Sequence, residues 1–168
     1  MTTLYLVRHG ETVDNANQIM QGQTQGALNE HGMQQAREVS EQWKDKPLDV
    51  ILASDLKRAI DTARIIAEPH QMEVLTTPLL RERDWGSFTG RYIPDLKGET
   101  WPDDIETLEN LLSRAGEFIA YVRQTFPGKK VLAVGHGIIN KAIQSYYYQK
   151  PMNEIQRMQN AEVRILEL

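Results

Sequence analysis

The chain has 168 residues, of which 40% are hydrophobic and 25% are charged, and its formal net charge is −4. This composition is typical of a single soluble globular domain spanning residues 1–168, and it lacks the basic excess of nucleic-acid-binding proteins. The absence of cysteine excludes disulfides, thiolate metal sites and a cysteine nucleophile, and no apolar run approaches the length of a membrane span. We therefore expect a cytoplasmic protein with no membrane and no nucleic-acid partner.

The first predicted element is a short strand that ends in an arginine and a histidine. Leu4–Val7 is an apolar run rich in strand-forming residues, and Arg8, His9 and Gly10 follow it immediately. In open α/β sheets, ligands bind outside the carboxyl ends of the strands. Gly10 gives the backbone freedom to turn and leaves room for a substrate. The pattern indicates that Arg8 and His9 belong to a ligand site.

The next part of the chain predicts a loop, a helix, a strand and a second helix. Residues 13–28 are polar and rich in Gln and Gly, which is typical of a long loop. Asn29 is a suitable N-cap for a helix whose apolar residues recur at helical spacing until Lys46-Pro47. Leu48–Ala53 predicts a second strand, and Ser54 is expected to cap the helix that follows.

In the second half of the chain, the apolar pattern predicts three strands and two helices. These are a strand over residues 73–76, a helix from Ile105 to Pro127, a strand over Lys130–Val134, a helix from Ile138, and an edge strand over Glu162–Leu168. Residues 78–98 are irregular and highly charged. Because strands alternate with helices throughout, the expected fold class is a layered α/β structure.

Three polar side chains occur where predicted strands end. His9 follows the first strand, His136 follows the fourth, and Arg58 lies about one turn beyond Ser54. If these strands are parallel, the three groups converge on one edge of the sheet. Helices beginning at Ser54 and Ile138 would direct free N–H groups to the same place. Such a pocket suits a dianion, and phosphate is the obvious candidate.

Five stretches of the chain have the order and spacing of a known set of motifs. They are Arg8-His9-Gly10-Glu11-Thr12 with Asn15, Leu28–Ala36 (LNEHGMQQA), Ser54–Ala63 (SDLKRAIDTA), Leu80-Arg81-Glu82 with Gly86 and Gly90, and Val134-Gly135-His136-Gly137. Together they resemble the histidine phosphatase (phosphoglycerate mutase-like) superfamily, from Leu4 to about Lys141. The resemblance implies a three-layer α/β/α sandwich with a mostly parallel central sheet.

The resemblance also implies a phosphatase that forms a phosphohistidine on His9, whose other ring nitrogen would donate to a backbone carbonyl. The phosphate-binding residues that it implies are Arg8, Asn15, Arg58, a protonated His136 and Gly137. These donors would neutralise the charge of the transferred phosphoryl group. They would replace the metal ion of many other phosphatases, so no metal and no cofactor is expected.

The general acid implied by the resemblance is Glu82, which would protonate the leaving alkoxide and then activate water. Asp84 in the same charged run is an alternative for this role. His31 and His70 have no partners at metal-ligand spacing and are expected at the surface.

Some features of the chain depart from the resemblance and bear on the reaction. Gln25–Leu28 stands where many relatives have D-x-P-L, the stretch between Glu82 and His136 is short, and no Arg-Arg pair occurs. A mutase must shield its phosphohistidine from water, which favours a phosphatase here. The expected substrate is a small phosphomonoester, such as α-ribazole phosphate or a sugar phosphate. The alternatives are a phosphoglycerate mutase and a non-catalytic phosphate- or phosphoprotein-binding module, and either a monomer or a homodimer is expected.

Overall fold

The computed structural model describes residues 1–168 and contains five strands and five α-helices. In chain order they are β1 (Thr3–Arg8), α1 (Val13–Ala16), α2 (Glu30–Trp43), β2 (Val50–Ser54), α3 (Lys57–Ala67), β3 (Val74–Thr77), α4 (Leu108–Thr125), β4 (Lys130–Gly135), α5 (Gly137–Tyr148) and β5 (Val163–Glu167). Short 3₁₀ turns occur at Glu68–His70, Pro78–Leu80, Gly86–Phe88, Ile93–Leu96 and Met152–Glu154. No helix combines the length and the apolar character that crossing a membrane requires.

The strands form one sheet in the order β3-β2-β4-β1-β5. The first four are parallel to one another, whereas β5 runs antiparallel to β1 and forms an edge. Tyr5 of β1 pairs with Leu132 of β4 on one side and with Ile165 of β5 on the other. The mostly parallel sheet confirms what the resemblance implies, and the final edge strand confirms the prediction from the apolar pattern.

Both faces of the sheet are apolar and covered by helices. Successive residues of a strand point to opposite faces. Leu4 and Leu6 of β1 accordingly pack with α4 and α5, whereas Tyr5 and Val7 pack with α2 and α3. The helices thus form two outer layers around the sheet, which confirms the predicted three-layer α/β/α sandwich.

The connections that follow β1 and β4 cover opposite faces of the sheet. The chain passes from β1 through α2 to β2, and from β4 through α5 to β5. Because β1 and β4 are neighbours, a crevice opens between these connections at the carboxyl ends of the two strands, which is where ligands bind in open α/β sheets. His9 and His136 are the residues that follow these two strands.

Two helix starts differ from the sequence-based prediction. Ser54 is the last residue of β2 and does not cap α3, because its Oγ accepts the N–H of Leu56 (3.2 Å) in the turn before that helix. Helix α4 begins three residues later than predicted, since the side chain of Thr107 accepts the N–H of Asn110 and caps the first turn there. Ile105 lies outside α4 and is buried in a small apolar cluster of its own.

Candidate active site

The carboxyl ends of β1 and β4 open into a cavity of about 180 Å³. Its polar wall includes Arg8, His9, Asn15, Arg58, Glu82 and Arg157, with Gly137 beside them. Its apolar wall consists of Ile19, Met20, Trp85, Ile93 and Ile138. Six of the seven site residues predicted from the sequence therefore line one cavity. The seventh, His136, is fully buried and packs edge-to-face against His9, with ring centroids 5.0 Å apart.

The ring of His9 is held in one orientation and one tautomer. Its Nδ1 lies 2.7 Å from the carbonyl oxygen of Gly10, which can only accept a hydrogen bond, so Nδ1 carries the proton and Nε2 has a free lone pair. Burial, reinforced by the charge of Arg58, lowers the pKa of His9 to about 3. His9 is therefore neutral at physiological pH, as nucleophilic attack requires. The predicted bond from its second ring nitrogen to a backbone carbonyl is present.

Gly10 has a different role from the one expected. A Cβ at Gly10 would overlap the carbonyl oxygen of Gly32, at the start of α2, so its small size allows the loop after β1 to pack against that helix. The room at Gly10 is thus taken by the protein backbone, and Gly10 is absent from the cavity wall. Its N–H donates to the hydroxyl of Thr62 on α3 (3.1 Å), which anchors the loop that carries His9.

Two buried guanidinium groups face the cavity and are oriented by backbone carbonyls. Arg8 Nη1 donates to the carbonyl of Met158 (2.8 Å). Arg58 Nη2 donates to the carbonyl of Gly22 (2.7 Å), and its Nη1 donates to the carbonyl of Thr24. Desolvation is the main cause that lowers the pKa of each arginine to about 10, so both stay charged at neutral pH. Their Nε atoms are buried and have no protein partner, which leaves donors for an anion.

Without a bound anion His136 is neutral, whereas the resemblance implies a protonated form that holds phosphate. Burial lowers its pKa well below the ordinary histidine value, and the positive charge of Arg58 acts in the same direction. The hydroxyl of Ser54 accepts from Leu56 and can donate its own proton to Nε2 of His136 (2.9 Å). This arrangement places the ring proton on Nδ1, a buried atom with no protein partner. Nδ1–H is therefore a neutral donor that no group of the protein uses.

Glu82, and not Asp84, is the carboxyl group at the cavity. Oε1 of Glu82 accepts the N–H groups of Arg83 (2.8 Å) and Ile139 (3.0 Å), and Oε2 accepts the N–H of Ile138 (3.0 Å). Oε2 therefore has one protein donor and keeps a lone pair that can carry a proton. Asp84 is absent from the cavity wall, and its Oδ1 accepts the N–H of Gly86 (2.9 Å) in a local turn.

The expectation that helix N-termini present free N–H groups to the ligand is wrong for α3, whereas in α5 the N–H of Gly137, at the cavity wall, has no protein partner. The first turn of α5 donates to the carboxylate of Glu82. In α3, the N–H of Lys57 donates to the side chain of Gln25 (3.0 Å), and that of Arg58 donates to its carbonyl oxygen (3.4 Å). In both cases a residue distant in sequence satisfies donors that the helix itself leaves without partners.

Arg114 of α4, which is not part of the cavity wall, holds the segment that carries Glu82. The guanidinium of Arg114 donates to the carbonyl oxygens of Leu79 (3.1 Å) and Glu82 (3.4 Å). It also forms a two-pronged ion pair with Glu106, with distances of 2.8 and 3.1 Å. The side chains of Arg114 and Glu106 are only 15% and 7% exposed. We call this ion pair and its carbonyl contacts the Arg114–Glu106 clamp.

Asn15 lies in α1, within the stretch that the sequence predicts to be a loop. The side chain of Thr12 accepts the N–H of Asn15 (2.9 Å), and Oδ1 of Asn15 accepts the N–H of Thr12 (3.1 Å). This reciprocal capping box forms the single helical turn. Because Oδ1 is occupied, the amide nitrogen of Asn15 is the group left to donate into the cavity, which agrees with its expected role as a neutral donor.

A segment of the last loop, residues 157–160, completes the site and was missed from the sequence. Arg157 lines the cavity, the carbonyl of Met158 orients Arg8, and the amide of Asn160 donates to the carbonyl oxygen of His9 (3.0 Å). The segment reaches the nucleophile because β5 returns antiparallel beside β1. Residues 157–160 show no apolar periodicity. Their position just before the predicted edge strand is the only feature of the sequence that could have placed them near the site.

The two remaining histidines are not grouped with other potential metal ligands. The ring of His31 is exposed on α2 and lies 3.3 Å from the side chain of Gln35, whereas His70 is half-buried at the end of a 3₁₀ turn. No cluster of three or more His, Asp or Glu side chains is placed to hold a metal ion. The cationic side chains of the cavity are all arginines.

Comparison with known proteins gives a family and several named relatives. A model of the histidine phosphatase superfamily (branch 1) matches residues 4–168. The chain is 43% identical over 141 residues to a Bacillus subtilis (strain 168) protein named "Uncharacterized phosphatase PhoE", which covers 82% of this chain and 72% of the relative. It is 37% identical over 153 residues to the "Probable phosphoglycerate mutase GpmB" of Enterobacter sp. (strain 638), with 82% and 71% of the two chains covered.

The fold also matches a solved structure over nearly its whole length. That structure is a mycobacterial glucosyl-3-phosphoglycerate phosphatase in complex with VO3, and the TM-score is 0.90 at 27% sequence identity. The match covers 98% of this chain and 92% of the mycobacterial chain.

Proposed function

The chain belongs to the histidine phosphatase superfamily, and on this basis we propose that it hydrolyses small phosphomonoesters through a phosphohistidine on His9. The observation that carries the proposal is the geometry around His9. Its Nδ1–H is fixed on the carbonyl of Gly10, its Nε2 is unprotonated, and two buried arginines with unused donors line the same cavity. A neutral nucleophile beside oriented cations is what attack on a phosphate dianion requires.

In the first step, Arg8 and Arg58 bind non-bridging oxygens of the substrate, with the amide of Asn15 and Nδ1–H of His136 as neutral donors. The lone pair on Nε2 of His9 attacks phosphorus, and the bond from phosphorus to the ester oxygen breaks. The carbonyl of Gly10 stabilises the positive charge that develops on the imidazole ring. The two guanidinium groups stabilise the charge on the equatorial oxygens in the transition state.

Glu82 moves the proton in both halves of the reaction. The departing ester oxygen takes the bonding electron pair and receives the proton from Oε2 of Glu82, so an alcohol leaves. Water then attacks phosphorus, gives a proton to the same carboxylate, and the electron pair of the bond from phosphorus to nitrogen returns to Nε2 of His9. The products are an alcohol, inorganic phosphate and the starting enzyme.

The proposed substrate class is a small phosphorylated metabolite. A cavity of about 180 Å³ suits a small phosphate ester, and its apolar wall suits the carbon skeleton of the leaving group. α-Ribazole phosphate and sugar phosphates are members of this class. The activity of the mycobacterial neighbour on a phosphorylated glucosyl-glycerate is a further reason to include sugar-acid phosphates.

The test measures inorganic phosphate released from a panel of phosphomonoesters, in excess chelator, by wild type, His9→Ala and the matched control His31→Ala. Wild type and the control are expected to release phosphate, and His9→Ala is expected to release none. Rapid quenching of the wild-type reaction at high pH should trap a phosphohistidine, because this linkage is labile in acid and stable in base. Equal rates for wild type and His9→Ala would exclude the proposed nucleophile, and binding without turnover would indicate a phosphate-binding module.

A phosphoglycerate mutase is the second candidate, favoured by the 37% identity to the Enterobacter relative. A mutase returns the phosphoryl group to a second hydroxyl of the substrate and must keep water from the phosphohistidine. Incubation with 3-phosphoglycerate separates the two functions. Formation of 2-phosphoglycerate faster than inorganic phosphate would identify a mutase, whereas release of inorganic phosphate without the isomer supports the phosphatase.

A further inference from the structure

We propose that Arg157 forms a subsite for a carboxylate on the substrate, separate from the residues that hold the phosphoryl group. The inference deepens the proposed phosphatase function and rests on it for the identity of the ligand. It predicts that the preferred substrates are phosphate esters of short hydroxy or amino acids.

The backbone around Arg157 is fixed to the catalytic strand. The carbonyl of Met158 accepts Nη1 of Arg8 (2.8 Å), and the side chain of Asn160 holds the carbonyl of His9 (3.0 Å). The carbonyl of Arg157 itself accepts a bond from Arg164 (3.4 Å). Arg157 therefore extends from an anchored segment, and the position of its side chain is coupled to that of the nucleophile.

The side chains of Arg157 and Arg8 lie close together over the first residue of α5. A Cβ placed on Gly137 would lie 3.4 Å from Nε of Arg8 and 3.5 Å from Nε of Arg157, so both side chains pass over the same glycine. The positive charge of Arg157 is one of the causes that lower the pKa of Arg8. The carboxylates of Glu82 and Glu162 act on Arg8 in the opposite direction, and an anion bound beside the two guanidinium groups would stabilise both further.

Arg157 is the cationic side chain of the cavity that has no part in the proposed binding of the phosphoryl group. Arg8 and Arg58, the two buried arginines beside His9, together carry the charge of a phosphate dianion. The side chain of Arg157 makes no hydrogen bond and no ion pair within the chain, whereas the neighbouring Arg83 donates to the carbonyl of Glu106 (2.8 Å) and stacks on the ring of Trp85. The exposed guanidinium of Arg157 is therefore available to a second anionic group of the ligand.

A carboxylate fits this subsite better than a second phosphate does. Guanidinium and carboxylate have equal and opposite charge and pair through two parallel hydrogen bonds, whereas a second phosphate dianion would need a further cation. The apolar wall that includes Ile19, Met20 and Trp85 is available to the carbons between the two anionic groups. The ligand that matches these groups is thus a phosphate ester whose carboxylate lies a few bonds from the ester oxygen.

The first test compares O-phosphoserine with O-phosphoethanolamine, which differ only by the carboxylate. Values of kcat/KM are measured for wild type, Arg157→Gln and the matched control Arg37→Gln, an exposed arginine of α2. A hydrogen-bonded ion pair contributes about 1.5–3 kcal/mol, so the preference for O-phosphoserine should fall about 10- to 100-fold in Arg157→Gln, mainly through KM. Arg37→Gln should keep the wild-type preference. A loss shared equally by both esters, or no loss, would overturn the proposal.

The second test does not depend on turnover. Calorimetry measures the affinity of both esters for His9→Ala and for His9→Ala combined with Arg157→Gln. The carboxylated ester should bind about 10-fold or more tightly only when Arg157 is present. If wild type hydrolysed neither ester while this difference remained, the phosphatase proposal would fail for these substrates and the carboxylate subsite would stand. Equal affinities of both esters for both variants would refute the subsite itself.

Discussion

The Arg114–Glu106 clamp should control the general acid without touching the substrate. In the variant Arg114→Met, a flexible apolar side chain replaces a guanidinium that makes bonds to Glu106 and to the carbonyls of Leu79 and Glu82. The carboxylate of Glu106, only 7% exposed, loses its main partner. Removing one member of a buried ion pair costs about 3–5 kcal/mol, so the free energy of unfolding should fall by an amount in this range.

The effect on catalysis should depend on the leaving group. A positioned general acid contributes about 10²- to 10⁴-fold, and a segment that has lost its support should lose part of that factor. We expect kcat/KM to fall about 10- to 100-fold for an alkyl phosphate, whose alkoxide needs a proton. For 4-nitrophenyl phosphate the fall should be much smaller, because 4-nitrophenolate leaves without protonation.

The assay measures kcat/KM for both esters at a temperature where circular dichroism shows the variant to be folded. Arg123→Met is the matched control, since Arg123 is an exposed residue of the same helix and makes no ion pair or side-chain hydrogen bond. Glu82→Gln should give the same leaving-group pattern, and its effect should not add to that of Arg114→Met if both act on one proton transfer. Equal losses on the two esters would mean that Arg114 maintains the whole cavity and has no specific relation to Glu82.

Three further changes test the surroundings of the nucleophile. Because burial lowers the pKa of His9 to about 3, the unfolded chain takes up its proton first as the pH falls, and the free energy of unfolding should decrease by up to about 1.4 kcal/mol per pH unit between pH 6.5 and 3. The free energy of unfolding, measured with urea at several pH values, should depend less steeply on pH in His9→Gln. In the control His31→Gln it should depend on pH as steeply as in wild type. Gly32→Ala places a Cβ against the backbone of the loop after β1 and should cost about 1–3 kcal/mol by overpacking, measured by thermal unfolding against Ser40→Ala on the same helix. Asn160→Ala removes the donor to the carbonyl of His9 and should lower kcat about 5- to 10-fold with little change in KM, as expected for a lost neutral hydrogen bond of about 1 kcal/mol.

The sequence was sufficient for those parts of the site that follow directly from a strand. His9 and His136 come immediately after apolar runs, and Arg58 lies in the first turn of a helix that follows another. Parallel pairing of the strands then brings these residues to one edge of the sheet, and this does not depend on the conformation of the loops. Local apolar periodicity likewise predicts the alternation of strands and helices and the final edge strand, whereas the three layers and the mostly parallel sheet were implied by the family resemblance.

The parts that could not be predicted depend on contacts between residues far apart in sequence. The N–H groups of Ile138 and Ile139 in α5 do not donate to a ligand, because they already donate to Glu82, from a loop on another part of the chain. Arg157 and Asn160 reach the site through the antiparallel return of β5, and Arg114 reaches the loop behind Glu82 from the middle of α4. No pattern of residue types within any of these segments specifies such a partner.

The protonation of His136 shows why a residue type alone does not fix its role. Next to a phosphate, a histidine is readily assigned as a cation, and this was the expectation. In the structure its ring is fully buried, and the positive charges of three arginines (Arg8, Arg58 and Arg114) lie close enough to disfavour a further positive charge. In the free protein this environment therefore keeps the ring of His136 neutral. Such an outcome depends on the sum of surrounding charges, which is defined only after folding.

The way in which the arginines are held explains how a protein of net charge −4 can bind an anion. Arg8 is oriented by the carbonyl of Met158, and Arg58 by the carbonyls of Gly22 and Thr24, so both side chains are fixed without being neutralised. An aspartate or glutamate in place of these carbonyls would hold the guanidinium groups equally well, but would cancel the charge that attracts the substrate. In the free protein, burial removes both guanidinium groups from water. This desolvation disfavours their charged form and lowers their pKa values. A phosphate dianion removes that desolvation cost when it binds, so binding energy is concentrated at the group on which the reaction takes place.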